Sequence, residues 1–167
     1  MSGATKRNIV IAVVLLVLLL VEPFWGSIKS AVTGEDGETG ASPEQNWCSV
    51  TITCADARNH MDLLSEESAR LVPDDGVLLP ETEVAVEPEG TVLDALLAVT
   101  REYGIAADYS GTPAYLEGIG GLYAGDAGDV SGWTYSVNGE DAMVSCAEYT
   151  VSEGDKIVWS YVCTWDE

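Results

Sequence analysis

The segment of the sequence that says most about the fold is Ser131-Gly132-Trp133-Thr134-Tyr135-Ser136-Val137-Asn138-Gly139. Trp133, Tyr135 and Val137 fall on one face of an extended chain and the polar residues between them fall on the other, which is the pattern of a half-buried strand. Asn138-Gly139 then predicts a tight hairpin turn, because both residues tolerate the positive φ that a type I′ turn requires. This half of the chain is therefore predicted to be an antiparallel sheet.

Two further strands are predicted, one well before this segment and one after it. Cys48–Cys54 alternates apolar and hydroxyl side chains, and it is the clearest period-two pattern in the sequence. Lys156–Cys163 is predicted to be the last strand, after a turn at Glu153-Gly154-Asp155. Shorter strands are predicted within 82–86, 105–109 and 113–119, and a loop with a short helix within 55–72.

One helix is well marked between these strands. Thr91 can cap its free backbone amides, Asp94 lies three residues on, and Gly104 ends it. Apolar residues recur at helical spacing from Val92 to Tyr103, which indicates a face buried against the sheet.

The same residues carry a family resemblance that extends over about Cys48 to Trp165. The chain resembles the transcobalamin-like C-terminal domain family, a domain found in many bacterial surface proteins. The matching segments are Gly90-Thr91-Val92-Leu93-Asp94-Ala95-Leu96, Tyr115-Leu116-Glu117-Gly118-Ile119, Ser131-Gly132-Trp133, Tyr135, Val137-Asn138-Gly139, Tyr149, Gly154-Asp155 and Trp159-Ser160-Tyr161.

This resemblance implies a fold and a ligand class. The implied fold is α+β, a β-grasp (ubiquitin-like) mixed sheet with one main helix, whose last strand lies parallel to the first. The vertebrate relatives close such a domain over cobalamin held against a second, helical domain, which this sequence lacks. A corrinoid ligand is therefore expected to need a helical partner domain or a transporter. The residues predicted to contact a ligand are Tyr115, Tyr123, Trp133, Tyr135 and Asn138.

Four cysteines are predicted to form two disulfides. If the first and last strands are parallel neighbours, as the resemblance implies, Cys54 and Cys163 close the matching ends, and Cys48 is left for Cys146. The other two connectivities that four cysteines permit remain open.

Charge and residue types exclude several functions. With 28 acidic and 7 basic residues, the chain lacks the clustered Lys and Arg that bind phosphate, so nucleic acid is not an expected partner. His60 is the one histidine, and no nucleophile lies in a catalytic motif, so no enzyme activity is expected. No metal site is predicted either: Asp126 and Asp129 alone supply too few oxygens for calcium, and the cysteines lack zinc spacing.

The N-terminal segment of the sequence predicts that the protein is exported. Lys6-Arg7 precedes the apolar run Ile9–Val21, which fits a membrane-spanning anchor or the core of a cleaved signal peptide. The anchor is favoured because no convincing cleavage site follows. The expected organisation is a signal or transmembrane anchor at 1–31, a flexible acidic linker at 32–46 and the β-grasp domain at 47–167.

Either N-terminal interpretation places the domain outside the cell membrane. The predicted function is a membrane-tethered extracytoplasmic ligand-binding domain, with cobalamin or a related corrinoid as its ligand. The alternative is a structural or adhesive cell-surface module that binds a protein or glycan.

Overall fold

Eight strands and three α-helices follow one another in the part of the chain, residues 45–112 and 114–164, that the computed structural model describes. The strands are β1 (Asn46–Thr53), β2 (Val77–Val86), β3 (Ala107–Ser110), β4 (Tyr115–Ile119), β5 (Leu122–Tyr123), β6 (Gly132–Val137), β7 (Glu140–Asp141) and β8 (Lys156–Val162). The α-helices are α1 (Ala55–Asn59), α2 (Glu66–Ala69) and α3 (Val92–Tyr103), with a 3-10 turn at Met61–Leu63.

The large sheet has five strands in the order β2-β1-β8-β6-β7. β8 lies parallel to β1, with Val50 opposite Ile157 and Ile52 opposite Trp159, while the other pairs are antiparallel. The predicted parallel pairing of the first and last strands is confirmed. It brings the two ends of the described chain into the centre of one sheet.

One face of this sheet carries the core. Val50 and Ile52 of β1 have no exposed surface, and Trp159 and Tyr161 of β8 are almost as deeply buried. α3 packs against β1 and β2 through a buried stripe that includes Leu96. Burial of this apolar face supplies the main stabilisation of the fold.

The helix and the hairpin form as predicted. Thr91 Oγ1 accepts the backbone N–H of Asp94, the Asp94 carboxylate accepts the N–H of Thr91, and Gly104 ends α3 with a φ of 68°. Asn138 and Gly139 have φ values of 55° and 84° and connect β6 directly to β7. Local side-chain chemistry is therefore sufficient to place both features.

The small sheet has three strands in the order β3-β4-β5. Gly118 of β4 lies between Asp108 of β3 and Tyr123 of β5. The absence of a side chain lets the Tyr123 ring cross Gly118 and donate its hydroxyl to Asp108 Oδ2 at 2.8 Å. Gly118 is thus required by a close approach within the sheet.

The predicted fold class is wrong. The described chain is mostly β, with two separate sheets and eight strands, instead of an α+β domain with one mixed β-grasp sheet. The sequence patterns placed most strands correctly but could not show that the strands around Tyr115 hydrogen-bond to one another and not to the large sheet. Strand pairing of this kind depends on long-range contacts that local periodicity does not encode.

The predicted transmembrane helix lies outside the described residues. Within residues 45–112 and 114–164, no helix has the length and hydropathy needed to cross a bilayer. The domain boundaries at residues 31 and 46 also stay predictions, while all the described residues belong to one compact unit, Ala41–Glu167.

All four cysteines lie among the described residues as buried free thiols. The predicted Cys54–Cys163 and Cys48–Cys146 disulfides are therefore not present in the structure. Burial raises the pKa of Cys48, Cys54 and Cys163 to about 11, so the neutral thiol is the stable form of each.

Candidate functional site

A narrow cleft of about 180 Å³ lies where the two sheets approach each other. One wall comes from Tyr115 and Leu116 of β4 and the opposite wall from β6. The segment after β7 closes a third side. The full lining is Ala114, Tyr115, Leu116, Trp133, Thr134, Tyr135, Ala142, Val144, Ser145, Cys146 and Trp159.

Hydrogen bonds across the cleft hold its walls together. Ser145 Oγ donates to the carbonyl of Ala114 at 2.9 Å, and the Tyr135 hydroxyl donates to the carbonyl of Val144 at 2.9 Å. Burial raises the pKa of Tyr135 to about 12, which keeps this hydroxyl protonated as a donor. The cleft is therefore a preformed feature of the fold.

Trp159 from β8 contributes the most deeply buried part of the lining. Its side chain is 2% exposed and packs against Tyr135 with ring centroids 5.0 Å apart. Among the described residues, Trp159 Nε1 is the one buried side-chain polar atom without a hydrogen-bond partner. A buried N–H in this state costs about 1–3 kcal/mol, which an acceptor supplied by a bound molecule would offset.

The neighbouring Trp133 differs in this respect. Trp133 Nε1 donates to the carbonyl of Leu122 at 2.8 Å, and its ring meets Tyr161 edge-on at 5.3 Å. Its indole N–H is thus used to join the two sheets, whereas the N–H of Trp159 has no partner among the described residues.

Three of the five predicted ligand residues line this one cleft: Tyr115, Trp133 and Tyr135. They differ in accessibility, since Tyr115 is 60% exposed whereas the other two are buried. Tyr115 is therefore the ring that a bound molecule would meet first. Sequence reasoning missed Trp159 as a candidate, because its alternating pattern marks a core residue and the orphaned N–H arises only from packing.

The other two predicted residues lie elsewhere. Tyr123 is held against Asp108 on the small sheet, and the hydrogen bond to that carboxylate raises the pKa of the Tyr123 phenol. Asn138 donates to Asp155 Oδ1 at 2.8 Å and accepts the N–H of Lys156 at 2.9 Å. Both side chains fix turns and strands next to the cleft but are not part of its lining.

Two larger concavities are weaker candidates for a ligand site. One of about 440 Å³ lies among Trp47, Glu81, Glu83, Glu153 and Lys156, and Lys156 Nζ lies 3.5 Å from Glu81 Oε1 in an exposed ion pair. The other, of about 580 Å³, lies over the hydroxyl-rich face of β6 and β8. Neither contains a buried polar group in need of a partner among the described residues.

A second cluster, which the sequence did not predict, lies at the far end of β8. Asp56, His60 and Cys163 place one carboxylate oxygen, one imidazole nitrogen and the thiol sulfur within 4.8 Å of one another. Asp56 lies at the start of α1, and His60 follows that helix. Asp56 Oδ2 accepts the backbone N–H of Cys163 at 2.7 Å. Because the two partners are 107 positions apart in the sequence, sequence spacing gave no signal.

His60 also contacts Asp56 directly. Its Nδ1 lies 3.0 Å from the Asp56 carbonyl and 3.1 Å from the carboxylate, and these contacts raise the pKa of His60. Because the folded-state pKa is raised, their stabilisation is complete below about pH 6.5 and is lost as the pH rises through the folded-state pKa.

Comparison with known proteins gives a family match and several similar solved structures, two of which are described below. A family model described as a domain of unknown function (DUF4430) matches residues 90–162, which lie inside the stretch that carries the transcobalamin-like resemblance. No curated protein matches the chain.

Both of the solved structures described here differ strongly from this chain in sequence. Haptocorrin in complex with Cbi is 15% identical with a TM-score of 0.49, and the match covers 78% of this chain but only 27% of haptocorrin. A “putative metal binding protein” from Ruminococcus gnavus ATCC 29149 is 14% identical with a TM-score of 0.43, covering 72% of this chain and 99% of the other. With TM-scores this low, neither structure decides the ligand of this chain.

Proposed function

We propose that this chain is a ligand-binding domain whose site is the cleft between β4 and β6. The observation that carries the proposal is the buried, unpartnered Nε1 of Trp159, a residue whose side chain lines the cleft. Native proteins pair nearly all buried polar groups, so an exception in a cleft indicates a place for an external acceptor. The exposed ring of Tyr115 at the rim supplies an apolar contact next to it.

The size of the cleft restricts how a ligand can bind. A volume of about 180 Å³ is below the roughly 300–1,000 Å³ of sites that enclose a drug-sized molecule. A larger ligand would therefore insert one group and rest its remaining surface on the rim. The inserted group needs a hydrogen-bond acceptor for Trp159.

A corrinoid is the ligand we propose. Its periphery carries amide side chains whose carbonyl oxygens are acceptors of the required kind, and the macrocycle offers an apolar edge to the Tyr115 ring. Most of the macrocycle would remain uncovered by this chain alone. A helical partner domain would then cover the opposite side and complete the site.

Titration of the full chain with cobinamide, followed by tryptophan fluorescence, tests the proposal. Saturable quenching is expected, and Tyr115→Ala and Trp159→Phe should each weaken binding by roughly tenfold, as expected for the loss of about 1–1.5 kcal/mol. Tyr109→Ala is the matched control, because Tyr109 is also an exposed tyrosine of the small sheet but does not line the cleft.

The outcome that contradicts the corrinoid proposal is the absence of saturable binding by the wild-type chain, with and without a helical partner. An adhesive module is then favoured by a different observation. Met143 and Val144, in the segment that borders the cleft, are 94% and 51% exposed, which is typical of a contact surface for a protein partner.

We also propose that the domain is tethered to the outer face of the cell membrane. The support is the apolar run Ile9–Val21 behind Lys6-Arg7, followed by a polar linker. Mass spectrometry of protein from native membranes should find the 1–31 region still attached. A mature N-terminus within residues 26–41 would contradict tethering and leave the cleft proposal untouched.

A further inference from the structure

The cluster at the end of β8 has the donor types of a transition-metal site. A thiol, an imidazole and a carboxylate are the three side chains that bind zinc, and here their ligand atoms lie within 4.8 Å of one another. Donor atoms that share one metal ion lie at most about 4.6 Å apart, because each lies about 2.0–2.3 Å from the ion, so this cluster needs only a small closure to hold a metal.

The local structure orients these side chains in advance. Asp56 accepts the N–H of Cys163 with Oδ2, which leaves Oδ1 directed at His60. Cys163 is 1% exposed, whereas the side chains of Asp56 and His60 are 35% and 41% exposed. The thiol is thus fixed by packing on one side, and a cation can enter from the solvent side through the other two.

We propose that Asp56, His60 and Cys163 form a binding site for zinc or a similar divalent transition metal. The metal bonds to the Cys163 sulfur, whose proton passes to solvent, and to one ring nitrogen of His60 and one carboxylate oxygen of Asp56. Water completes the tetrahedral coordination. The sulfur and nitrogen donors disfavour calcium and magnesium, which prefer oxygen ligands only.

Such a site would connect two distant parts of the chain. It joins the segment that follows β1 to the end of β8, the two strands that pair in parallel at the centre of the large sheet. Metal bound only by the folded state stabilises that state by mass action. The bound metal would therefore hold the ends of β1 and β8 next to each other and stabilise the folded state.

A Cys54–Cys163 disulfide and this site are mutually exclusive, because both use the sulfur of Cys163. Cys54 lies near enough to raise the pKa of Cys163, though after burial and Asp56 it is the weakest of the causes. The oxidation state of Cys163 in the native protein therefore determines whether the disulfide or the metal site forms, and this state can be measured.

Titration of the reduced, tag-free full chain with Co²⁺ tests the site. We expect one equivalent to bind with a thiolate-to-cobalt charge-transfer band that Zn²⁺ removes by displacement. Zinc at a hundredfold excess over its Kd should raise the Tm by on the order of 10 °C. Calcium and magnesium should produce neither effect.

Variants separate metal binding from folding. His60→Ala changes an accessible side chain and should abolish the band and the zinc-dependent rise in Tm, while the Tm without metal stays close to that of the wild type. Cys163→Ser should remove the charge-transfer band specifically. Asp62→Asn is the matched control, since it removes a nearby charge outside the cluster and should leave binding intact.

Three results would overturn the proposal. The first is reduced wild-type protein that shows neither the band nor the Tm increase. The second is binding that persists unchanged in His60→Ala. The third is peptide mapping of the native protein that finds Cys163 linked to Cys54.

Discussion

The two sheets are stabilised in different ways. The large sheet presents an apolar face with Val50, Ile52 and Tyr161 almost completely buried. The small sheet also buries Leu116, Ile119 and Leu122, but it exposes Tyr109 and Tyr123 on its outer side, where the Tyr123 hydroxyl bonds to Asp108.

Two hydrogen bonds attach the small sheet to the large one. Trp133 Nε1 donates to the carbonyl of Leu122, and the Tyr161 hydroxyl donates to the carbonyl of Tyr123, each at 2.8 Å. The cleft lies where the sheets meet, so its exposed rim at Tyr115 belongs to the small sheet and its buried floor at Trp159 belongs to the large one. This difference indicates that substitutions in the floor should cost more stability than substitutions at the rim.

The largest expected effect comes from the core of the large sheet. Ile52→Ala removes a side chain with no exposed surface and leaves a cavity, so the free energy of unfolding should fall by about 2–5 kcal/mol in chemical denaturation. Tyr109→Ala on the small sheet should change it by no more than about 0.5 kcal/mol. Equal losses in both variants would contradict burial as the source of the difference.

A smaller effect is expected within the small sheet. In Gly118→Ala the added Cβ would lie 2.7 Å from Tyr123 Cδ1, so the ring must move and its bond to Asp108 is lost. We expect a destabilisation of about 1–3 kcal/mol by thermal unfolding. Gly132→Ala is the control, because its Cβ would meet nothing closer than 3.5 Å. Similar losses in the two variants would rule out the Tyr123 ring as the cause.

The two tryptophans of the large sheet allow a comparison between an indole that bonds to the small sheet and one that does not. Trp133→Phe and Trp159→Phe remove similar volumes, but only the first breaks a hydrogen bond and leaves the Leu122 carbonyl without its donor. We expect Trp133→Phe to be the more destabilising by about 1–2 kcal/mol in urea unfolding without ligand. If Trp159→Phe cost more, its indole N–H would have an unrecognised partner in the free protein.

The smallest effect concerns the Tyr123 hydroxyl. Its bond to Asp108 raises the phenol pKa, so it stabilises the fold below the ordinary tyrosine pKa of about 10 and this contribution is lost as the pH rises through the folded-state value. Tyr123→Phe should therefore show a slightly shallower loss of stability at alkaline pH than the wild type. Asp108→Asn should shift the pH dependence in the same direction, and an unchanged alkaline limb in both variants would contradict the role of this bond.

Local sequence patterns were enough to predict the individual elements. Alternation placed β1, β6 and β8, the Thr91 and Asp94 side chains placed the start of α3, and Asn138-Gly139 placed the hairpin. Each of these signals acts over a few residues, where backbone preference and capping chemistry dominate. Tyr115, Trp133 and Tyr135 were predicted to contact a ligand and line one cleft, whereas Tyr123 and Asn138, predicted with them, do not line it.

Three features were visible only in the folded chain: the division into two sheets, the unpartnered N–H of Trp159 and the approach of Cys163 to Asp56 and His60. Each depends on residues far apart in the chain, whose contact is fixed by strand order and packing. Local sequence patterns do not contain that information, because the same alternation fits either sheet and the same tryptophan can be buried with or without a partner.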